Sequence, residues 1–160
     1  MKHVRSLLSL AASAVAVVAL AVPAHAVGNG TYVIRTLRSD GCLTPDVAAP
    51  FAPVVVKYDS DCARWRVTNQ EDGSVRISPA DQPNLCLDLN PVRFPEATVL
   101  PCGQGGQGGP QRWQINDFGP RTPADIRNLA TGGCLIAPNP EGPVAVLSCR
   151  GPEWILEPTA

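Results

Sequence analysis

The fold is decided by the stretch Leu85-Cys86-Leu87-Asp88-Leu89, followed by Cys102 and then by Gln111-Arg112-Trp113-Gln114-Ile115. The same order of cysteine, cysteine and tryptophan occurs twice more, as Cys42, Cys62, Trp65 and as Cys134, Cys149, Trp154. All six cysteines and all three tryptophans belong to this scheme, and the tryptophans stand 48 and 41 residues apart. A repeat of this period indicates a unit that buries its apolar face only against its siblings. The sequence therefore predicts one domain at 27–160, built of three copies at about 30–70, 71–120 and 121–158.

Residues 1–26 have the features of an export signal. Lys2 and Arg5 form a basic start, an apolar run extends from Leu7 to Val22, and Ala24-His25-Ala26 is a small-residue cleavage site. The run is interrupted by serines and is short for a membrane span, so the pattern favours removal of the segment over a retained anchor. No later stretch is apolar and long enough to cross a bilayer. We therefore expect a secreted protein.

Charge and histidine content limit the possible functions. Of the 13 lysines and arginines, Lys2 and Arg5 lie in the signal, which leaves 11 against 14 acidic residues and a net charge of −3. That balance argues against nucleic acid as a partner. Both histidines, His3 and His25, also lie in the signal, which excludes a Ser-His-Asp or Cys-His catalytic unit and an imidazole zinc site in the remainder. Paired carboxylates or a mechanism through Lys57 stay open, but we expect no enzyme activity, no metal and no cofactor.

The cysteines of an exported chain are expected to form disulfides. Six cysteines allow 15 pairings in general. Because each copy contains its own pair, the repeat selects Cys42–Cys62, Cys86–Cys102 and Cys134–Cys149. A metal site is the competing interpretation, but the chain contains no Cys-x-x-Cys and its expected compartment is oxidising. The pairs are therefore predicted to be structural bridges.

Short strand-like runs separated by turn residues recur four times in each copy, and no stretch shows helical periodicity. The predicted strands are Thr31–Leu37, Cys42–Thr44, Val54–Tyr58, Arg64–Thr68, Ser74–Ser78, Leu85–Leu89, Thr98–Pro101, Arg112–Ile115, Asp125–Leu129, Cys134–Ala137, Val144–Ser148 and Glu153–Leu156. Twelve short strands predict an all-β closed architecture without free edges. Each tryptophan is followed two residues later by Val67, Ile115 or Leu156, which predicts a shared core face over a role in stacking on a ligand. The glycine-rich run 103–109 lacks the Lys-Ser/Thr ending of a phosphate loop and is interpreted as a surface loop.

These motifs resemble the ricin B-type lectin domain, and the resemblance covers residues 30–157. It implies an all-β fold, a β-trefoil of three roughly 40-residue repeats, and carbohydrate binding. In that family an Asp just after Cys-Leu accepts hydrogen bonds from sugar hydroxyls, an aromatic residue two positions before the second cysteine stacks on the sugar, and a polar side chain near Gln-x-Trp closes the site. The corresponding residues of the second copy are Asp88, Leu100 and Gln111.

The other copies depart from the family pattern. Thr44 and Ile136 stand at the Asp position, and Ser60 and Leu147 at the aromatic position. The resemblance therefore implies at most one competent sugar site, in the second copy, for a glycan or glycoprotein of the galactose or xylose type. Asp88 is alternatively a turn-forming or inherited surface residue. Aromatic residues that could replace the missing stacking platform are Tyr58, Phe94 and Phe118.

A second resemblance is to the small trefoil protease inhibitors of mushrooms. It covers about 40 residues, from Gly30-Thr31-Tyr32-Val33-Ile34 to Trp65-Arg66-Val67. It implies a protease as partner, inhibited through an exposed loop. Arg93 and Arg121 lie in proline-flanked loops and could fill an acidic specificity pocket, although each is also an ordinary candidate for a solvated surface arginine.

Overall fold

A computed structural model describes residues 27–58, 62–103, 109–116, 119, 121–139 and 142–159. These residues form strands and loops and include no helix. The strands are β1 (Gly30–Thr36), β2 (Cys42–Pro45), β3 (Val54–Lys57), β4 (Arg64–Asn69), β5 (Val75–Pro79), β6 (Leu85–Leu89), β7 (Ala97–Pro101), β8 (Trp113–Asn116), β9 (Pro123–Asn128), β10 (Cys134–Ile136), β11 (Ala145–Leu147) and β12 (Trp154–Pro158). Every predicted strand overlaps one of these, with ends that differ by at most two residues. The expected export signal lies outside the described residues.

Six of the strands close into a barrel. The antiparallel pairs run from β1 to β4, β5, β8, β9 and β12, and β12 pairs with β1 again. Alternation of direction around this ring makes β1, β5 and β9 parallel to one another, so their carboxyl ends lie at the same end of the barrel. A closed ring leaves none of its strands with an unpaired edge. The predicted closed all-β architecture is confirmed in this form.

The other six strands form three hairpins, β2–β3, β6–β7 and β10–β11. Each hairpin follows the carboxyl end of β1, β5 or β9, so all three lie at the same end of the barrel. They also pair with one another through the bridges Pro53↔Thr98, Glu96↔Ala145 and Val55↔Pro143. Each hairpin thus touches the other two, and the three together cover that end of the barrel.

The three tryptophans are core residues, as predicted. Trp65, Trp113 and Trp154 are fully buried at 0% exposure. Their indole Nε1 atoms donate hydrogen bonds to the backbone oxygens of Leu43, Leu87 and Leu135 at 2.8, 3.0 and 2.7 Å. Each acceptor is the residue after the first cysteine of its copy, so the bond joins the last strand of a copy to the hairpin of the same copy. A buried indole N–H with a partner has no unsatisfied polar atom, which fits its place in the core.

The disulfides are Cys42–Cys62, Cys86–Cys102 and Cys134–Cys149, with Cα–Cα distances of 5.5, 5.0 and 4.9 Å. The predicted pairing is therefore confirmed. Each bridge links the first strand of a hairpin to the chain after its second strand. The sequence separations of 20, 16 and 15 residues make all three local bridges.

Candidate functional site

The structure brings Asp88 and Gln111 together. Asp88 lies on β6 and is only 1% exposed, and Gln111 lies two residues before β8. The Asp88 Oδ2 atom accepts a hydrogen bond from Gln111 Nε2 at 2.7 Å, and its Oδ1 atom accepts one from the Leu89 backbone N–H at 2.6 Å. The carboxylate is therefore buried with each oxygen engaged by one donor.

The amide of Gln111 makes two further bonds. Its Nε2 donates to the backbone oxygen of Pro101 at 3.0 Å, and its Oε1 accepts from the backbone N–H of Gly103 at 2.8 Å. The side chain consequently ties β6 to the end of β7 and to the first glycine after Cys102. This arrangement arises because the Cys86–Cys102 bridge and the pairing of Leu85 with Pro101 fix the base of the hairpin.

Burial raises the pKa of Asp88 above its ordinary value, and the hydrogen bonds from Gln111 and Leu89 act in the opposite direction. An ionised carboxylate offers about four acceptor positions. Two donors are already present here, so each oxygen can accept one more hydrogen bond. In this conformation, at 1% exposure, an incoming hydroxyl reaches those positions only if covering groups move.

The equivalent positions in the other copies have no carboxylate. Asp88 pairs with Thr98 across its hairpin, Thr44 pairs with Val55 and Ile136 pairs with Ala145. Thr44 and Ile136 are also buried, at 7% and 5% exposure. Thr44 Oγ1 accepts a hydrogen bond from the backbone N–H of Ala63, which stands where the second copy has Gln111. The Asp–Gln pair therefore distinguishes the second copy from the other two.

Leu100 does not form an exposed platform. It is 7% exposed and pairs with Cys86 across the β6–β7 hairpin. In the third copy Leu147 pairs with Cys134 in the same way, which agrees with its place two residues before the second cysteine. In the first copy, however, the residue opposite Cys42 is Lys57.

Counting back from the second cysteine gives Ser60 at this position, whereas the register places Lys57 opposite Cys42. Ser60 itself lies outside the described residues. The two residues differ because the connection from the hairpin to the second cysteine is longer in the first copy. The residue that pairs with the first cysteine follows that cysteine by 15, 14 and 13 residues in the three copies. Its distance from the first cysteine is therefore more constant than its distance from the second. Lys57 is occupied locally, since its Nζ lies 3.0 Å from the backbone oxygen of Asp46 and 3.4 Å from Oδ1 of the same residue.

The candidate aromatic platforms lie in different places. Tyr58 directly follows β3 and is half-buried. Phe94 lies in the loop between β6 and β7, on the hairpin that carries Asp88, and is 63% exposed. Phe118 lies outside the described residues.

The two arginines considered for protease inhibition are not held in extended backbone. Arg93 donates its backbone N–H to Asn90 Oδ1 at 2.9 Å, and its carbonyl accepts from the Glu96 N–H at 2.8 Å, so both groups are used inside a tight turn. Arg121 has a φ of 59°, in the left-handed region. A peptide that adds to another protein as a strand needs extended backbone with its N–H and C=O groups available. Neither arginine has that geometry.

Within the described ranges, no group of three or more His, Cys, Asp or Glu side chains is placed to hold a metal ion. The described residues also include no helix long and apolar enough to cross a membrane.

No family model matches the sequence, and no curated protein matches it. Solved structures do share the fold. A mosquitocidal holotoxin gives a TM-score of 0.69 at 19% identity over 84% of this chain, which spans 18% of the holotoxin chain. A salivary protein from Culex quinquefasciatus, of the Cysteine and Tryptophan-Rich family, gives 0.66 at 20% identity, covering 85% of this chain and 97% of its own.

Lysenin, in a complex with phosphocholine, gives a TM-score of 0.64 at 15% identity over 83% of this chain and 45% of the lysenin chain. At these identities the likenesses establish the all-β fold and nothing about ligands.

Proposed function

We propose that this chain is a secreted carbohydrate-binding protein of the ricin B type, folded as a β-trefoil of three copies. Support for the trefoil comes from the six-stranded ring, the three mutually paired hairpins, and the tryptophan-to-leucine hydrogen bond that recurs in every copy. The first copy contributes β1–β4, the second β5–β8 and the third β9–β12. Secretion is supported by the basic and apolar leader and by three disulfides, which persist in oxidising compartments.

The sugar site is proposed in the second copy alone, with Asp88 at its centre. The observation that carries this proposal is the Asp88–Gln111 hydrogen bond between two side chains. At Thr44 the corresponding donor is only the backbone N–H of Ala63, and Ile136 has no polar side chain. Gln111 orients the carboxylate by holding one lone pair of Oδ2. The remaining acceptor positions are the ones offered to vicinal hydroxyls of a galactose- or xylose-type sugar.

Binding at this site includes a local opening. Because Asp88 is 1% exposed, the sugar has to displace the groups that cover the carboxylate. That cost, together with the absence of a stacking aromatic at Leu100, predicts weak binding of a single monosaccharide. A one-site protein also lacks the avidity that several linked sites provide. We further propose that the protein binds its glycan without catalysing a reaction.

The test is an NMR titration with galactose, lactose and xylan fragments. We expect shifts that cluster around Asp88 and Gln111. Asp88→Asn keeps the shape but removes the charge that gives a hydroxyl hydrogen bond about 1.5–3 kcal/mol, so affinity should fall about tenfold or more. Thr44→Ser and Ile136→Val are the matched controls at the equivalent positions and should leave affinity unchanged.

Two results would contradict the proposal. One is a set of shifts centred on Thr44 or Ile136, and the other is no shift at the highest sugar concentrations that the protein tolerates. A heteronuclear spectrum of each free variant establishes that it is folded before the titration begins.

A further inference from the structure

Large exposed apolar side chains are concentrated on two hairpin loops. Six large hydrophobic residues in the described part of the chain are exposed, and four of them lie on these loops. Val47 and Phe51 lie between β2 and β3, at 56% and 58% exposure, and Val92 and Phe94 lie between β6 and β7, at 87% and 63%. Scattered apolar residues are normal on a protein surface, but a cluster of this kind marks an interaction site.

The two loops project from the same end of the molecule. Each loop closes through one backbone hydrogen bond, Asp46 N–H to Pro53 O at 2.9 Å and Asn90 N–H to Glu96 O at 2.8 Å. Phe51 and Phe94 each lie two residues before the closing acceptor, so they occupy equivalent places. Since the hairpins pair with one another at one end of the barrel, both phenylalanines lie at that end.

Backbone hydrogen bonds hold both loops in shape. Phe51 donates its N–H to the backbone oxygen of Val99, on the neighbouring hairpin, at 2.8 Å. In the second loop Asn90 Oδ1 accepts from the N–H groups of Val92 and Arg93, both at 2.9 Å. The exposed side chains are therefore presented by ordered turns, and docking them costs little conformational entropy.

The charge of the two loops identifies the chemistry of the partner. Residues 47–52 carry no charge. Between β6 and β7 the charged residues are Arg93, which is exposed next to Val92 and Phe94, and Glu96, which is half-buried where the loop closes. Arg93 is exposed and makes no ion pair with any described residue, whereas Asp46, at the base of the first loop, is paired with Lys57 at 3.4 Å. A guanidinium next to apolar side chains suits a surface with phosphate groups above a hydrocarbon layer, because arginine binds phosphate through two parallel hydrogen bonds.

We propose that the hairpin end docks on a phospholipid surface. Phe51, Val92 and Phe94 enter the boundary between headgroups and acyl chains, and Arg93 pairs with lipid phosphate. The apolar residues belong to two hairpins that pair with each other through Pro53 and Thr98, so both loops lie at the end of the barrel that we propose faces the lipid. This membrane-docking function is additional to sugar binding and does not use the Asp88 carboxylate.

The experiment is co-sedimentation of the mature protein with vesicles of phosphatidylcholine, alone and with phosphatidylglycerol added. We expect binding to both, and stronger binding to the second at low salt. Phe51→Ser and Phe94→Ser should each lower the partition coefficient about tenfold, the effect of withdrawing one buried aromatic side chain. Arg93→Gln should reduce the preference for phosphatidylglycerol and leave the apolar part of the binding in place.

The matched controls are Leu37→Ser and Leu129→Ser, which remove exposed leucines, each 41% exposed, on turns outside the two loops. They should bind vesicles like the wild type. Asp88→Asn should also bind vesicles normally, and Phe51→Ser should keep any response to sugar, which separates this proposal from the carbohydrate site.

The proposal is overturned if wild-type protein binds neither vesicle or if the phenylalanine variants bind as well as wild type. It is also overturned if sedimentation shows a dimer that Phe51→Ser and Phe94→Ser convert to monomer, because the occupant of the surface is then a second copy of this chain.

Discussion

Gln111 holds Asp88 through a buried hydrogen bond of 2.7 Å and bonds both Pro101 and Gly103 with the rest of its amide. Gln111→Ala leaves a buried carboxylate oxygen and two backbone groups without this partner. We expect the free energy of unfolding to fall by about 1.5–3 kcal/mol, the range for a hydrogen bond to a charged group. Gln114→Ala, at an exposed position on β8, should change it by less than about 0.5 kcal/mol. Urea unfolding of the two variants measures the difference, and equal stabilities would show that the amide network has no structural role.

The stability of the protein should depend on pH through Asp88. Burial raises the pKa of this carboxyl above its ordinary value of 3.8, so the folded state holds the proton more tightly than the unfolded state. The favourable contribution of Asp88 is therefore fully present below pH 3.8 and is lost as the pH rises through the folded pKa. The difference in unfolding free energy between wild type and Asp88→Asn should decrease over that window and stay constant above it.

Asp72 provides a control of opposite sign. The hydrogen bonds from the Ser74 hydroxyl at 2.5 Å and the Ser74 N–H at 2.9 Å lower the pKa of this exposed carboxyl below 3.8. The contribution of Asp72 is present above pH 3.8 and is lost as the pH falls through the folded pKa. The difference between wild type and Asp72→Asn should therefore increase with pH in acid. The two differences from wild type should therefore change in opposite directions as the pH rises. A change in the same direction for both variants would contradict the assigned pKa shifts.

A methyl group at Gly133 should destabilise the fold. A Cβ atom there would lie 2.8 Å from Val146 Cγ1 and 2.9 Å from the backbone oxygen of Leu147. Because the second neighbour is backbone, it cannot move aside cheaply, and we expect Gly133→Ala to cost about 1–3 kcal/mol. Gly28→Ala, whose Cβ would meet nothing nearer than the Tyr32 hydroxyl at 3.9 Å, is the control and should be almost neutral. Thermal and urea unfolding of the pair decide the point.

The three indole hydrogen bonds should be energetically similar. Trp65→Phe, Trp113→Phe and Trp154→Phe each leave a buried leucine oxygen without its donor, at about 1–3 kcal/mol, and remove ring volume from the core. We expect each variant to lose about 2–5 kcal/mol in total. Denaturant unfolding of all three provides the comparison. A variant as stable as the wild type would show that its copy does not depend on the shared bond.

The strands and disulfides were predictable because local signals and the repeat agree on them. Alternating apolar residues, Asp72-Gly73 and Gly132-Gly133 turns and one cysteine pair per copy each impose a short-range constraint. The burial of Asp88 was not predictable from alternation, because all five residues of β6 are buried. Leu85, Leu87 and Leu89 belong to the core cluster, and Gln111, from 23 residues later in the chain, reaches Asp88 on the same strand.

The position of Lys57 opposite Cys42 depends on the register of the β2–β3 hairpin. The grouping of Phe51 with Phe94 depends on contacts between two hairpins. A single sequence does not encode these in any local pattern. The sequence marks Phe94 only as a possible stacking residue and gives no signal for Phe51. Both become informative once the bridges from Pro53 to Thr98 and from Glu96 to Ala145 show that the hairpins share one end of the barrel.

The pairing of β1 with β12 places the two ends of the described chain side by side. Tyr32 lies opposite Pro158, and Thr159 donates its N–H to the Thr31 oxygen at 2.9 Å. A short glycine-rich linker from Thr159 to Val27 should therefore allow circular permutation, with a new amino terminus at Gly73, in the exposed turn between β4 and β5. Since every disulfide lies within one copy, opening the chain between the first and second copies separates no bonded cysteines. In such a permutant β1 would be an internal strand of the chain. The order of the copies along the chain would change, but their arrangement around the barrel would stay the same.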